Sequence, residues 1–294
     1  MATNLDNPFG ITVDEDRVFW TTSDGKVLTV SLNGGSESTI ATGQNMPRDI
    51  IEDGPVIYWV NMAGGNIQVM NKNGTGINTV GVGSYPIGLT QNSTHVFWAN
   101  AMGMPIQYIQ KGGSSVENLP AAGGFPNNLA AEDEHVYWTS GSMVRHYDLF
   151  GSTDYIVSST ETDPGAITFD DTWIYWVDRG TGYDSSVDKC TAVTGTIKAA
   201  RKSNYTDVKT IATDQACPMA LLADGGTLYW VNNGTYDGTV YQDNGAIMEE
   251  YGAGPQVVAD NQHRPYSMDV NSDTIVWTST GLYPDQGTVR KIAR

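Results

Sequence analysis

Residues 8–22 read PFGITVDEDRVFWTT and hold the spacing that decides the fold. Pro8 stands 12 residues before Trp20, and the same Pro-to-Trp step occurs seven times along the chain. About 0.3 such pairs would be expected by chance, so the spacing marks an internal repeat. The seven pairs are Pro8/Trp20, Pro47/Trp59, Pro86/Trp98, Pro126/Trp138, Pro164/Trp176, Pro218/Trp230 and Pro265/Trp277.

The first repeat predicts four short strands, over residues 9–13, 17–21, 26–31 and 37–42. Asn33-Gly34 lies between the last two and is typical of a hairpin turn. Repeats of this kind stack into one core, because none can bury its apolar face alone. We therefore predict an all-β fold, a seven-bladed β-propeller of four-stranded antiparallel blades. It is predicted to be a single domain over residues 1–294, with its blades beginning near the seven repeat prolines.

The last repeat ends after its third strand, at residues 288–292. Residues 1–4, MATN, align with residues 40–43, IATG, which precede the second repeat proline. We therefore predict that the N-terminal residues pair beside the last strand and close the ring as its fourth strand.

The formal charge of −17, from 33 acidic and 16 basic residues, disfavours nucleic acid and anionic membranes as partners. An acidic surface keeps a β-rich protein soluble, and the alternative is that it binds cations. No apolar run approaches the roughly 18 residues that span a membrane, so no membrane insertion is predicted.

The repeat lengthens after Trp176, Trp230 and Trp277, between the second and third strands. Strand alternation places these three loops at one mouth of the ring. Tyrosine together with Asp and Asn is typical of sites that bind a glycan or a protein. The alternative is that these tyrosines only pack the loops together. The predicted ligand-binding residues are Tyr183, Asp184, Asn232, Tyr236, Asp237, Tyr241, His263, Tyr283 and Asp285. Of the other histidines, His95 and His135 are predicted on blade surfaces, and His146 alone on a third strand.

Small polar residues stand two positions after each repeat Trp. They either cap strand ends by local hydrogen bonds or form a polar floor under a ligand. The set is Thr22, Asn61, Asn100, Ser140, Asp178, Asn232 and Ser279.

Asp178, Asp184 and Asp188 share one Gly/Ser-rich loop and are candidate calcium ligands. A metal-free loop is the alternative, and no cofactor is otherwise indicated. Asp49 and Asp269, on first strands, are alternative cation ligands or paired core carboxylates.

Cys190 lies in the blade-five loop and Cys217 directly precedes Pro218, so both are predicted at the same mouth. A disulfide between them would close a loop of about 27 residues and contribute roughly 3–4 kcal/mol. It would indicate an extracytoplasmic protein, secreted, periplasmic or on the cell surface. Two free buried thiols are the alternative.

Segments such as Phe19-Trp20-Thr21-Thr22 and Tyr175-Trp176-Val177-Asp178 resemble the bacterial propeller repeats related to the YWTD repeats of the low-density lipoprotein receptor family. Only Asp178 keeps that family's closing aspartate. The Pro-to-Trp repeat also resembles the virginiamycin B lyase family. That resemblance implies a catalytic His directly after the repeat proline and a metal-binding Glu before it. Here Arg264 and Tyr266 flank Pro265, and no repeat proline precedes a His.

From these patterns we predict a non-catalytic binding module that recognises a glycan or a protein through the long loops of blades five to seven. The protein is therefore predicted not to be an enzyme. One alternative is a lyase or hydrolase at the same mouth, with His263 and Asp or Tyr groups as acid and base. The other is a structural component of a surface assembly. Neither the ligand nor the oligomeric state follows from the sequence.

Overall fold

The structure is a computed structural model that describes residues 1–120, 125–184, 189–281 and 286–294. The described residues form seven four-stranded antiparallel sheets and one two-stranded ladder, and contain no helix. The fold is all-β and of the seven-bladed β-propeller class, which confirms the predicted architecture. No helix in these ranges is long and apolar enough to cross a membrane.

The chain divides into two compact units. Unit 1 comprises 1–127, 131–133 and 267–294, and unit 2 comprises 128–130 and 134–266. The prediction of a single domain over 1–294 therefore stays a prediction.

Unit 1 carries the sheets of blades 1, 2 and 3 and most of the residues of blade 7. Blade 1 consists of β2 (Pro8–Val13), β3 (Arg17–Thr22), β4 (Lys26–Ser31) and β5 (Ser38–Ala41). Blade 2 consists of β6 (Pro47–Asp53), β7 (Val56–Asn61), β8 (Asn66–Asn71) and β9 (Asn78–Val82). Blade 3 consists of β10 (Pro86–Gln91), β11 (His95–Asn100), β12 (Gln107–Gln110) and β13 (Val116–Asn118). Blade 7 consists of β28 (Pro265–Val270), β29 (Thr274–Ser279), β30 (Gly287–Ala293) and β1 (Ala2–Leu5).

Unit 2 carries most of the residues of blades 4, 5 and 6. Blade 4 consists of β14 (Pro126–Ala131), β15 (His135–Ser140), β16 (Met143–Asp148) and β17 (Thr153–Ser158). Blade 5 consists of β18 (Pro164–Phe169), β19 (Trp173–Asp178), β22 (Gly195–Arg201) and β23 (Asn204–Gln215), with the ladder β20 (Tyr183–Asp184) and β21 (Lys189–Cys190) inserted. Blade 6 consists of β24 (Pro218–Asp224), β25 (Thr227–Asn232), β26 (Gly245–Glu250) and β27 (Gln256–Gln262).

The N-terminal strand completes the last sheet, as predicted. β1 pairs with β30 in antiparallel register, Ala2 opposite Val289 and Leu5 opposite Gly287. Ala2 and Leu5 are buried in the same apolar cluster as Trp20 and Val289, so β1 is held by packing as well as by its hydrogen bonds.

Five of the repeat Trp side chains are buried against the sheet of the preceding blade within their own unit: Trp20, Trp59, Trp98, Trp176 and Trp230. Trp59 packs with Phe19 and Val27 of blade 1, and Trp230 packs with Ile197 and Ala212 of blade 5. Gly81 allows one such approach, because a Cβ there would lie 2.8 Å from Trp98. The Trp–Pro spacing therefore sets the contact that stacks one sheet on the next.

A threonine directly after the Trp adds a hydrogen bond between neighbouring blades. Thr21, Thr139 and Thr278 donate from Oγ1 to the carbonyls of Arg48, Gly165 and Phe9, at 2.6, 2.8 and 2.8 Å. Each acceptor is the residue that follows the repeat proline of the next blade. The threonine after the Trp of one blade and the residue after the Pro of the next blade thus form one inter-blade hydrogen bond.

Candidate functional site

The long loops of blades 5 and 6 lie side by side in unit 2. In the first, Tyr183 pairs with Cys190 in the β20–β21 ladder, and in the second Tyr236 pairs with Tyr241. The backbone N–H of Tyr236 donates to the carbonyl of Cys190 at 2.7 Å and so joins the two loops. We call the described residues of these loops, 179–184, 189–194 and 233–244, the loop platform.

A disulfide fastens the base of the loop platform. Cys190 and Cys217 are bonded, with their Cα atoms 5.6 Å apart, and both are almost fully buried. The predicted disulfide is therefore confirmed. It ties the blade-5 loop to the residue that precedes Pro218.

Cationic side chains of the protein cover the tyrosine rings of the loop platform. Lys189 Nζ lies 3.9 Å from the ring centroid of Tyr236, and the guanidinium of Arg179 lies 4.0 Å from that of Tyr183. Tyr241 is 6% exposed, in contact with Tyr236 and with Arg264 at 4.0 Å. These rings pack the two loops together, which was one of the alternatives that the sequence left open.

The predicted acidic residues of the loop platform are exposed. Asp237 accepts hydrogen bonds from the backbone N–H groups of Val240 and Thr239 and from the Thr239 hydroxyl, which lower its pKa to about 2. Asp184 is exposed at the end of β20. Val193 and Val240, which the prediction omitted, are 45% and 50% exposed. The platform therefore presents exposed carboxyl groups and exposed aliphatic side chains, and Asp237 lies against Val240.

His263 contacts a carboxylate of the loop platform. Its Nδ1 lies 2.6 Å from Oδ1 of Asp243, and the histidine is partly exposed. An imidazole oriented by a carboxylate is an arrangement that general acid–base catalysts use.

Most of the residues two positions after a repeat Trp cap the end of the second strand by hydrogen bonds. Asn61, Asn100 and Asn232 are buried and donate to the side chains of Gln44, Gln107 and Gln215, at 2.9, 3.1 and 2.8 Å. The structure thus places Asn232 below the surface, against Gln215. Sequence reasoning missed these glutamines, although Gln44 and Gln215 share a position three residues before a repeat proline.

Asp178 is buried and also accepts bonds from the backbone. It accepts hydrogen bonds from the N–H groups of Thr162, Asp163 and Gly180 at 3.0, 2.9 and 3.1 Å. Burial alone would raise the pKa of Asp178, but these donors outweigh it, and the pKa is lowered. Asp178 thus joins the segment before Pro164 to the start of the blade-5 loop.

Within the described ranges, no three His, Cys, Asp or Glu side chains are grouped to hold a metal ion. The candidate calcium ligand Asp188 and the candidate ligand-binding residues Tyr283 and Asp285 lie outside those ranges.

The carboxylates of Asp49 and Asp269, in unit 1, link neighbouring first strands. Asp49 accepts from the N–H of Leu89 at 2.8 Å, and Asp269 accepts from the N–H of Val13 and the hydroxyl of Thr12 at 2.9 Å. Desolvation by the surrounding protein raises the pKa of each to about 6. Both groups therefore serve as inter-blade acceptors.

His146 is not alone, contrary to the expectation from its sequence position. Its Nε2 lies 3.0 Å from Nδ1 of His135, its Nδ1 contacts the hydroxyl of Tyr205, and its ring stacks between Tyr137 and Tyr155. The strand register brings His135 and Tyr205 to it, and neither neighbour is visible from local spacing.

No protein-family model and no curated protein matches the sequence. Solved structures match the fold. A streptogramin B lyase structure matches with a TM-score of 0.75 at 14% sequence identity. The match covers 100% of this chain and 96% of the lyase chain. A catalytically inactive histidine-to-alanine variant of virginiamycin B lyase from Staphylococcus aureus, with quinupristin, has a TM-score of 0.75 at 16% identity, covering 99% and 96%. A nidogen/laminin complex has a TM-score of 0.63 at 16% identity, covering 86% and 97%.

At these identities the likeness shows the fold alone, so the protein is a β-propeller of a class that includes enzymes and protein-binding modules. The prediction that the protein is not an enzyme is contradicted. A streptogramin B lyase has the same fold over the whole length of this chain, so the fold is compatible with catalysis.

Proposed function

We propose that this protein is an extracytoplasmic binding module that recognises a protein partner through the loop platform. The observation that carries the proposal is the joining of two long loops into one fixed surface. The Cys190–Cys217 disulfide, the Tyr236–Cys190 backbone bond and the Lys189–Tyr236 contact hold that surface. A surface ordered before binding loses less conformational entropy when a partner docks.

The chemistry of the platform favours a protein over a glycan. Sugar recognition by tyrosine needs an open ring face, and Tyr241 is buried while Lys189 and Arg179 cover Tyr236 and Tyr183. The exposed groups are the carboxylates of Asp184 and Asp237 and the side chains of Val193 and Val240. Such a surface fits a partner that presents basic side chains around an aliphatic one.

Two further facts support the proposal. The disulfide is of the kind that persists outside the cytosol, where such partners are found. The nidogen/laminin complex provides a precedent for protein binding by this fold, at 16% identity.

The test uses arrays of 15-residue peptides that carry Lys or Arg around Leu or Val, the same peptides with Glu, and a glycan array. The wild-type chain should retain the basic peptides, and Val193→Lys/Val240→Lys should reduce retention at least tenfold, because the new cations repel the basic side chains. Val257→Lys, on an exposed position of β27, is the matched control and should retain them. Retention of glycans only, or equal retention by the platform variant, would refute the proposal.

A second candidate function is an acid–base enzyme, which the 2.6 Å contact of His263 with Asp243 favours. His263 would move the proton and Asp243 would orient the imidazole. Quinupristin, the compound in one matching structure, is the first substrate to assay, with chromatography as the readout. Conversion that His263→Ala abolishes and His95→Ala preserves would support this candidate over the binding module.

A further inference from the structure

In most blades, the residue directly before the repeat proline has a positive φ angle. Met46 and Tyr85 have φ angles of 55° and 54°, in the left-handed region that suits Gly and Asn. Asn7, at the same position in blade 1, has φ 39°. The conformation therefore belongs to the repeat, and asparagine is the residue type that fits it. Met and Tyr are therefore energetically unfavourable at positions 46 and 85.

These side chains are also exposed. Met46 and Tyr85 are about 40% and 46% exposed, and Phe125, before the next repeat proline, is 61% exposed. Large apolar side chains at three successive equivalent positions of unit 1 thus face solvent. A backbone outlier that presents such a side chain points to a role in binding.

Backbone hydrogen bonds place the loops that carry these side chains next to one another. The N–H of Met62 donates to the carbonyl of Met46 at 2.9 Å, that of Gly83 to the carbonyl of Gly65 at 2.9 Å, and that of Ala101 to the carbonyl of Tyr85 at 3.0 Å. The next loop carries Met102 and Met104, and a Cβ on Gly103 would lie 3.3 Å from the Phe125 ring. Val82, four residues before Pro86, is 63% exposed. The apolar arc is Met46, Val82, Tyr85, Met102, Met104 and Phe125.

The loops that carry the apolar arc have no charge. Residues 42–47, 61–66, 82–86 and 100–106 contain no Asp, Glu, Lys or Arg, although 17% of the chain is charged. A charged partner would therefore gain no ion pair here, and it would lose hydration. Methionine and aromatic side chains are enriched at the cores of protein interfaces, and Met adapts its shape to what it contacts.

We infer that the apolar arc is a docking surface for an uncharged, apolar segment of a partner protein. This surface is separate in sequence and in chemistry from the acidic loop platform, and the inference does not rest on the proposed function. A second copy of the chain is disfavoured as occupant, because two molecules with a charge of −17 each repel one another.

The test compares wild type with Met46→Asn/Tyr85→Asn/Phe125→Ser. The probe is an array of 15-residue peptides of Leu, Ile and Phe with Ser, Asn and Gln, alongside the same peptides with Lys or Glu inserted. Wild type should retain the uncharged peptides at least tenfold better than the charged ones. The triple variant should lose that retention tenfold or more, because the peptides no longer find apolar side chains.

Two controls separate this loss from misfolding and from the loop platform. Asparagine suits the left-handed backbone, so the triple variant should keep the wild-type thermal midpoint and circular dichroism. Val208→Thr/Val257→Thr, at exposed positions on outer strands, and the platform variant Val193→Lys/Val240→Lys should all retain the uncharged peptides. No preference for uncharged peptides, or equal retention by the triple variant, overturns the inference. A wild-type dimer that the triple variant converts to a monomer in sedimentation equilibrium also overturns it, since the occupant would then be a second copy.

Discussion

The indole Nε1 of Trp230 donates to Oε1 of Gln215 at 2.8 Å, and Asn232 donates to the same oxygen at 2.8 Å. Gln44 does the same for Trp59 and Asn61, at 3.1 and 2.9 Å. One amide oxygen thus satisfies two buried donors at the end of the second strand.

Gln215→Met should lower the free energy of unfolding by about 1–3 kcal/mol, because it leaves two buried donors without an acceptor. Gln44→Met should have a similar effect. Gln256→Met, at an exposed position, is the control and should leave the urea midpoint nearly unchanged. Equal midpoints for all three variants would contradict a capping role for these glutamines.

Lys198→Met should lower the free energy of unfolding by about 2–4 kcal/mol. Lys198 Nζ lies 2.7 Å from Glu161 and 3.4 Å from Asp178, whose side chains are 2% and 6% exposed. Removing the cation leaves two buried carboxylates facing each other. Arg201→Met, which breaks the exposed Arg201–Asp207 pair, should cost less than about 1 kcal/mol. Thermal denaturation of both variants distinguishes the two cases.

Reducing the Cys190–Cys217 disulfide should lower the free energy of unfolding by about 3–4 kcal/mol on the chain-entropy model, because the bond closes a 27-residue loop. The sheets should persist, since the Trp contacts described above do not involve the disulfide. Limited proteolysis with reductant should therefore cut first within residues 179–194. Labelling of denatured, unreduced protein by iodoacetamide at both positions would show that the bond is absent.

Stability should decline as pH rises from about 4 to 6. The pKa values of Asp49 and Asp269 are raised by desolvation to about 6, from 3.8, so the folded chain binds more protons than the unfolded chain in this window. The free energy of unfolding therefore falls as pH rises through it. The lowered pKa of Asp178 acts in the opposite sense, with stability lost as pH falls below about 4.

Asp49→Asn should flatten this decline, because an amide accepts the Leu89 hydrogen bond without carrying a charge. Asn128 already makes the equivalent bond to the N–H of Ile167, at 3.4 Å. Urea midpoints at pH 4, 5, 6 and 7.5 measure the effect. Parallel profiles for wild type and variant would show that Asp49 does not titrate in this window.

The sequence predicted the sheets, the closing strand and the disulfide for a physical reason. The Pro-to-Trp spacing reports a contact between adjacent sheets, and strand alternation then assigns each loop to an end of its sheet. This reasoning placed Cys190 and Cys217 at the same mouth, and the structure then decided between a disulfide and two free thiols. The same reasoning could also have found the Gln–x–x–Pro signature of Gln44 and Gln215.

The side-chain environment of the candidate site could not be predicted in this way. Whether the rings of Tyr236 and Tyr241 are open or covered depends on Lys189 and Arg264, which approach from other segments. His146 meets Tyr205 across 59 residues of sequence. The left-handed backbone of Met46 and Tyr85 could not be predicted from their residue types, because Met and Tyr rarely adopt it.

The pairing of β1 with β30 joins segments that are far apart along the chain, Ala2 with Val289. The sheet of blade 7 can therefore form only after a very long loop has closed, and this closure costs conformational entropy. A circular permutant that begins at residue 44 and joins residue 294 to residue 1 through a short linker would make this pairing local. It should therefore fold faster than the unpermuted chain, with the same final sheets.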